Sequence, residues 1–153
     1  MLPDNYMSEN KSDFIIRDFR DDDFPSVSIM WEETGVGGAH RGDVLDVINN
    51  TLKHGGKLLI LENINTNTIA GTAWLTNDFR RIYLHHFCIG TEFQGKHLAH
   101  ILCEECIRFA KQLNLQIKLE VHRNNSKAIS LYEKHGFKFL GDYLVYIIRN
   151  NSN

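Results

Sequence analysis

The hydrophobic period changes twice between residues 81 and 121, and this narrows the possible folds more than any other feature of the chain. Arg81–Ile89 reads as a strand. Leu98, Ile101, Leu102, Cys106, Phe109, Ala110 and Leu113 then recur at helical spacing, which predicts a helix over Leu98–Leu113. Over Gln116–Val121 the pattern returns to alternation, with Ile117, Leu119 and Val121 on one face. Strand, helix and strand in this order make a β-α-β crossover. That unit belongs to an α/β fold, or to an α+β fold with a mixed central sheet.

The remaining segments fit around that unit. Phe14–Phe19 predicts a first strand, and Asp21, Asp22 and Asp23 supply cap candidates for a helix running through Trp31, with Pro25 in its first turn. Glu33–Gly42 carries four glycines and reads as a loop, and Asp43 to about His54 as a second helix stopped by Gly55-Gly56. Lys57–Glu62 and Thr68–Thr76, joined by Asn63–Asn67, have a hairpin signature. After Val121 a short helix over Ser126–His135 ends at Gly136, and Phe137–Leu140 and Tyr143–Arg149 predict two closing strands. The expected order is β-α-α-β-β-β-α-β-α-β-β. A loose leader over residues 1–12 precedes a single domain over 13–150, and Asn150–Asn153 is a polar tail.

A chain of 153 residues can bury one core. Seventeen basic and nineteen acidic side chains leave a formal charge of -2, too weak a field to recruit nucleic acid or an anionic membrane surface. No apolar run approaches the roughly 20 residues of a membrane span, and no signal-peptide pattern opens the chain, so a cytoplasmic protein is expected. Cys88, Cys103 and Cys106 are odd in number, and the C-x-x-C falls within the long predicted helix. They are expected as buried, reduced thiols rather than a disulfide or metal set.

The chemistry concentrates between Leu84 and Ala99. A strand ends near Ile89 and a helix begins near Leu98, so the junction offers unpaired N–H groups and the positive end of a helix dipole. Gly95 permits close backbone approach and Lys96 adds a cation, which together suit a phosphate or pyrophosphate. The same pattern also makes a plain tight turn, and spacing alone does not separate the two.

Gln94-Gly95-Lys96-His97-Leu98-Ala99 resembles the acetyl-CoA loop of the GNAT superfamily, Q/R-x-x-G-x-G/A. Asn125–Phe137 matches that superfamily's second signature, N-x-x-A-x-x-L-Y-x-x-x-G-F, and Ile82–Ile89 resembles the fourth strand of its small-amine members. The resemblance covers Lys57 to Leu140. It implies a central mixed sheet with splayed fourth and fifth strands, flanked by four helices. It also implies an acetyl-CoA-dependent N-acetyltransferase acting on a primary amine in a ternary complex, with acetyl-CoA as cosubstrate and no metal. The pyrophosphate would lie on Gln94, Gly95, Lys96, His97, Leu98 and Ala99, the pantetheine arm would pair with Phe87 and Ile89, and Asn125 would cap a helix and touch the cofactor. Tyr132 would be the general acid for the departing thiolate; its alternative is a core aromatic.

Two positions depart from the pattern. The superfamily has Gly where His97 stands, so His97 either crowds the phosphates, contacts one, or faces solvent. Related enzymes often carry Glu where His85 stands; here His85 is the candidate base and His86 its rival, with a water relay also open. Adjacent strand residues face opposite sides, so only one of the two is expected to address the site. Glu32, Glu33 and the loop to His40 would flank the acceptor and suit a cationic amine, or form only a solvated helix end. The acceptor is expected to be a small molecule. The alternatives are a protein amine and a non-catalytic CoA-binding module. The apolar last strands could form the edge of a homodimer, or be buried within one chain.

Overall fold

In a computed structural model of the chain, residues 11–149 are described. The leader expected over 1–12 and the tail expected over 150–153 therefore lie outside the described residues, apart from Ser12 and a 3-10 turn at Lys11–Asp13. Strand β1 (Phe14–Asp18) leads through a 3-10 turn at Asp21–Asp23 into α1 (Phe24–Thr34). Pro25 sits in the first turn of α1, and Gly35 closes it at φ 74°. Helix α2 (Leu45–Lys53) precedes three strands, β2 (Lys57–Asn63), β3 (Thr68–Asn77) and β4 (Arg81–Ile89). The crossover follows as α3 (Leu98–Gln112) and β5 (Gln116–Leu119), and α4 (Ser126–Lys134) completes the order.

The five strands lie in sequence order, β1-β2-β3-β4-β5, antiparallel except for the β4–β5 pair that α3 connects. Alternation assigns each strand's side chains to one of two layers. Leu59, Ala73, Leu75, Ile82 and Leu84 pack under Leu102, Cys103, Cys106, Phe109 and Ala110 of α3, with Tyr132 of α4 closing the cluster. On the opposite face Leu58, Ile60, Trp74 and Cys88 meet Val27, Met30 and Trp31 of α1 and Ile48 of α2. The three cysteines are free and buried, as their sequence setting predicts. Burial drives the thiol pKa of Cys103 up to about 11 and that of Cys106 higher still, so both stay protonated at neutral pH.

The two closing strands expected over Phe137–Leu140 and Tyr143–Arg149 do not form. Phe137 packs its ring 5.5 Å from that of Tyr132 and donates its N–H to the Tyr132 carbonyl at 3.0 Å. Beyond it the chain leaves the sheet, with Phe139 92% and Ile148 95% exposed. The apolar content of this segment gives it the capacity to pair, but pairing also needs a neighbour. The outer edge of β5 is left without a strand among the described residues.

Candidate active site

The middle of β4 is built around a bulge. Trp74 pairs with His85 and Thr72 with Cys88, so Ala73 stands opposite both His86 and Phe87. His86 absorbs the extra residue with φ 46°. This overturns the expectation that His85 and His86 face opposite sides, because the inserted residue cancels the alternation. Both imidazoles lie against Trp74, with centroids 6.4 Å and 5.1 Å from its ring, on the face covered by α1 and α2. Thr72 fastens the bulge. Its hydroxyl donates to the His86 carbonyl at 2.9 Å and accepts the indole N–H of Trp31 at 2.8 Å.

The two histidines differ in what they touch. His86 Nε2 lies 2.7 Å from Asp43 Oδ2, and its ring centroid is 4.5 Å from that of Trp31. The same carboxylate oxygen accepts the N–H of Gly38 at 2.8 Å, which ties the loop between α1 and α2 to the bulge. Gly37 closes over this pair so tightly that a Cβ there would come within 2.3 Å of both His86 Nε2 and Asp43 Oδ2. His85 instead bonds Thr76 Oγ1 through Nε2 at 2.9 Å and stacks on Tyr83 with centroids 4.5 Å apart. Burial, and then the neighbouring His86, lower its pKa below the usual imidazole value, against weaker opposing pulls from Glu120 and Asp43. His85 lines a cavity of about 210 Å3 together with Thr76, Tyr83 and Lys118; His86 does not.

Strands β4 and β5 part beyond the Leu84–Leu119 pair, so His85–Ile89 has no strand neighbour on that side among the described residues. Phe87 and Ile89, expected to pair with an extended ligand, lie on this open stretch. The Gln94 side chain donates to the Ile89 carbonyl at 3.0 Å. A 3-10 turn at Thr91–Phe93, Gly95 at φ 80° and His97 at φ 61° bring the chain into α3. His97 is therefore both the residue before the helix and a left-handed, exposed position. That conformation gives an independent physical reason for glycine at this place, apart from crowding of a phosphate. Leu98 turns into the core beside Phe14, Leu61 and Ala70, and Lys96 Nζ lies 5.6 Å from the Phe93 ring centroid. An open strand edge beside a helix N-terminus and a lysine is an arrangement that an extended ligand ending in phosphates fits.

Tyr132 closes this end from α4. It is 9% exposed, its ring meets Phe87 edge-on at 5.7 Å, and burial raises its pKa well above the ordinary phenol value. Asn125 caps α4, its Oδ1 accepting the Ala128 N–H at 3.2 Å. Glu32, Glu33 and His40 face solvent, and none lines the His85 cavity. Among the described residues no group of three or more His, Cys, Asp or Glu side chains is arranged to hold a metal ion. Sequence reasoning missed Asp43, Thr72 and Tyr83 as parts of the site. Tyr83 stands two residues before His85 on the same strand face, a signal the alternation carried; Asp43 and Thr72 are joined to the site only by tertiary contacts.

The family profile described as the acetyltransferase (GNAT) family matches residues 16–137. No curated protein matches the chain. Among solved structures, an acetyltransferase from Streptococcus agalactiae superposes with a TM-score of 0.72 at 19% identity, covering 90% of this chain and 93% of that one. Glucosamine-6-phosphate N-acetyltransferase from Arabidopsis thaliana gives 0.69 at 16% identity, over 89% and 99%. A GNAT family acetyltransferase from Elizabethkingia anophelis with acetyl-CoA bound gives 0.61 at 17% identity, over 84% and 78%. At these identities the likeness is one of fold.

Proposed function

The chain belongs to the acetyltransferase (GNAT) family, and from that premise we propose that it transfers an acetyl group from acetyl-CoA to a primary amine of a small molecule, by direct attack in a ternary complex. One observation carries this reading. The parting of β4 and β5 after Leu84–Leu119 leaves an open strand edge with His85 at one end and Tyr132 against Phe87 at the other. The size of the His85 cavity, about 210 Å3, suits a small acceptor better than a folded protein surface. A structural neighbour named for glucosamine 6-phosphate supports the same class.

Acetyl-CoA supplies the activated thioester. The chain's own groups do the rest. Backbone groups of Phe87 and Ile89 would orient the extended arm, next to the Ile89 carbonyl that accepts the Gln94 side-chain amide. The N-terminus of α3, with the loop Gln94–Ala99 and Lys96, holds the phosphates through N–H groups and charge, and Asn125 stands at the cofactor end of α4. His85, kept neutral by burial, accepts the proton that the amine must lose. Tyr132, kept protonated, donates a proton or a hydrogen bond to the departing sulfur. His86 is the rival base, but it does not line the cavity that His85 lines, and its bond to Asp43 makes it a strut for the bulge.

A second reading, a CoA-binding module without turnover, draws on His97 in the left-handed position of the phosphate loop. Thiol release from acetyl-CoA across a panel of primary amines separates the two. Amine-dependent release supports the enzyme, and binding of acetyl-CoA with no release from any amine contradicts it. A peptide N-terminus in the panel tests for a protein acceptor. The exposed side chains of Phe139, Leu140 and Tyr143–Ile148 support a homodimer, in which a second copy covers them.

A further inference from the structure

The charged side chains that line the cavity beside His85 are mainly cationic. Its walls are Thr76, Asp78, Arg80, Arg81, Tyr83, His85 and Lys118. Three cations thus face one carboxylate, whose charge acts on Arg80 and Arg81 and leaves the cations in excess. Asp78 Oδ1 accepts the backbone N–H groups of Arg80 at 2.8 Å and Arg81 at 2.6 Å, which holds its pKa below the usual carboxylate value. Two arginines elsewhere are paired, Arg17 with Asp23 and Glu62, and Arg108 with Glu105. Among the described residues, no carboxylate forms an ion pair with Arg80, Arg81 or Lys118.

Register and alternation fix where these charges stand. Arg81, Tyr83 and His85 share one face of β4, so Arg81 lies about 13 Å from His85 along the strand, and Tyr83 about half as far. Lys118 sits opposite Tyr83 on β5, its Nζ 5.7 Å from the Tyr83 ring centroid. Arg81 is steadied by a hydrogen bond from its Nε to Gln116 Oε1 at 3.2 Å. Glu120 adds a carboxylate beside this group, and it accepts the Tyr83 hydroxyl. A molecule with its amine at His85 would therefore bring a group about 6–7 Å away level with Lys118, on the side from which the longer Arg81 side chain approaches.

We propose that the acceptor is an amine that also carries a carboxylate or phosphate, its anion held by Arg80, Arg81 and Lys118 while its amine faces His85. This rests on the acetyltransferase reading and names the substrate class for the same site. It takes the acceptor's recognition away from Glu32 and Glu33, which face solvent as a solvated helix end would. Guanidinium and ammonium groups bind carboxylate and phosphate alike through charge-assisted hydrogen bonds, so the shared chemistry is an oxyanion.

Matched acceptor pairs test it with the full chain and saturating acetyl-CoA: 4-aminobutyrate against 4-aminobutanamide, and 2-aminoethyl phosphate against ethanolamine. The anionic member of at least one pair is expected to show a kcat/KM about tenfold higher, and which pair responds distinguishes carboxylate from phosphate. Arg80→Ala and Lys118→Ala should each erase most of that advantage by raising the acceptor KM, leaving the KM for acetyl-CoA unchanged. Lys118→Arg should restore it. Equal rates for charged and neutral members, or equal losses for both in the variants, overturn the inference and leave the acetyltransferase reading standing. Acetyl-CoA turnover with other primary amines but with no member of either pair overturns the inference alone, and binding with no release from any amine of the wider panel overturns both.

Discussion

Tyr132 keeps its proton because of where α4 places it. Walled by Phe87, Phe137 and the cysteines of the core, the phenol loses solvation of its anion, and its pKa rises. Tyr132→Phe is expected to lower kcat on the order of 10²-fold, with acetyl-CoA affinity unchanged. Unchanged turnover would reduce Tyr132 to a core aromatic. At His85 the sign follows from burial. Protonation removes the base, so activity falls as pH drops through the His85 pKa, and that pKa lies below 6.5. The acid limb of kcat/KM should therefore sit below pH 6.5 and vanish from the residual activity of His85→Asn; a limb above that value, or one that persists in the variant, would contradict the assignment. His97 bears on stability as well as binding. In its left-handed conformation a Cβ costs energy that glycine avoids, so His97→Gly should stabilise the fold by about 0.5–1 kcal/mol. A chemical-denaturation midpoint that falls would contradict that. Comparing the acetyl-CoA dissociation constants of the two proteins would show whether the imidazole reaches the phosphates.

Among the elements, the bulged β4 determines what the two histidines can do. Thr72 is fully buried and is the hinge pin of that bulge, joining Trp31 to the His86 carbonyl. Thr72→Val removes the hydroxyl and leaves the indole N–H without its partner, at a cost of about 1–3 kcal/mol. Turnover should fall further than global stability explains, because the His85–Phe87 geometry relaxes; full activity at reduced stability would disprove the coupling. The same element shows how far the sequence can be read. Alternation placed β2, β3 and β4, helical spacing placed α3, and the two signatures pointed to the junction between them, because each is a local regularity. The bulge is not local. It arises where β3 and β4 differ by one residue in register, and nothing in Leu84–Cys88 announces it. Strand alternation assigned His85 and His86 to opposite faces for that reason. Asp43 was read only as the start of a helix; its bond to His86 spans 43 positions and requires the folded loop.

At the scale of the whole molecule, the segment after Phe137 is the feature that a single copy leaves unexplained. Eight large apolar side chains, Phe139, Leu140, Tyr143, Leu144, Val145, Tyr146, Ile147 and Ile148, are all at least 68% exposed. An apolar patch of this extent is characteristic of an interface. The uncovered edge of β5 offers backbone groups for pairing on the same molecule. Light scattering of the full chain should therefore give a dimer mass, and Tyr143→Lys together with Tyr146→Lys should shift it to monomer. A wild-type monomer with a protected, non-exchanging 137–149 segment would instead mean that the arm folds back on its own β5. No helix is long and apolar enough to cross a membrane among the described residues, so the patch is not accounted for by a helical span. Acetyl transfer itself is tested most directly by following the acetyl group. The full chain is incubated with acetyl-CoA bearing a deuterated acetyl group and with a primary amine, and the amine is examined by mass spectrometry. The account predicts a deuterated acetamide in one-to-one ratio with released CoA thiol. Acetyl-CoA that binds but yields no labelled amide with any primary amine would contradict it.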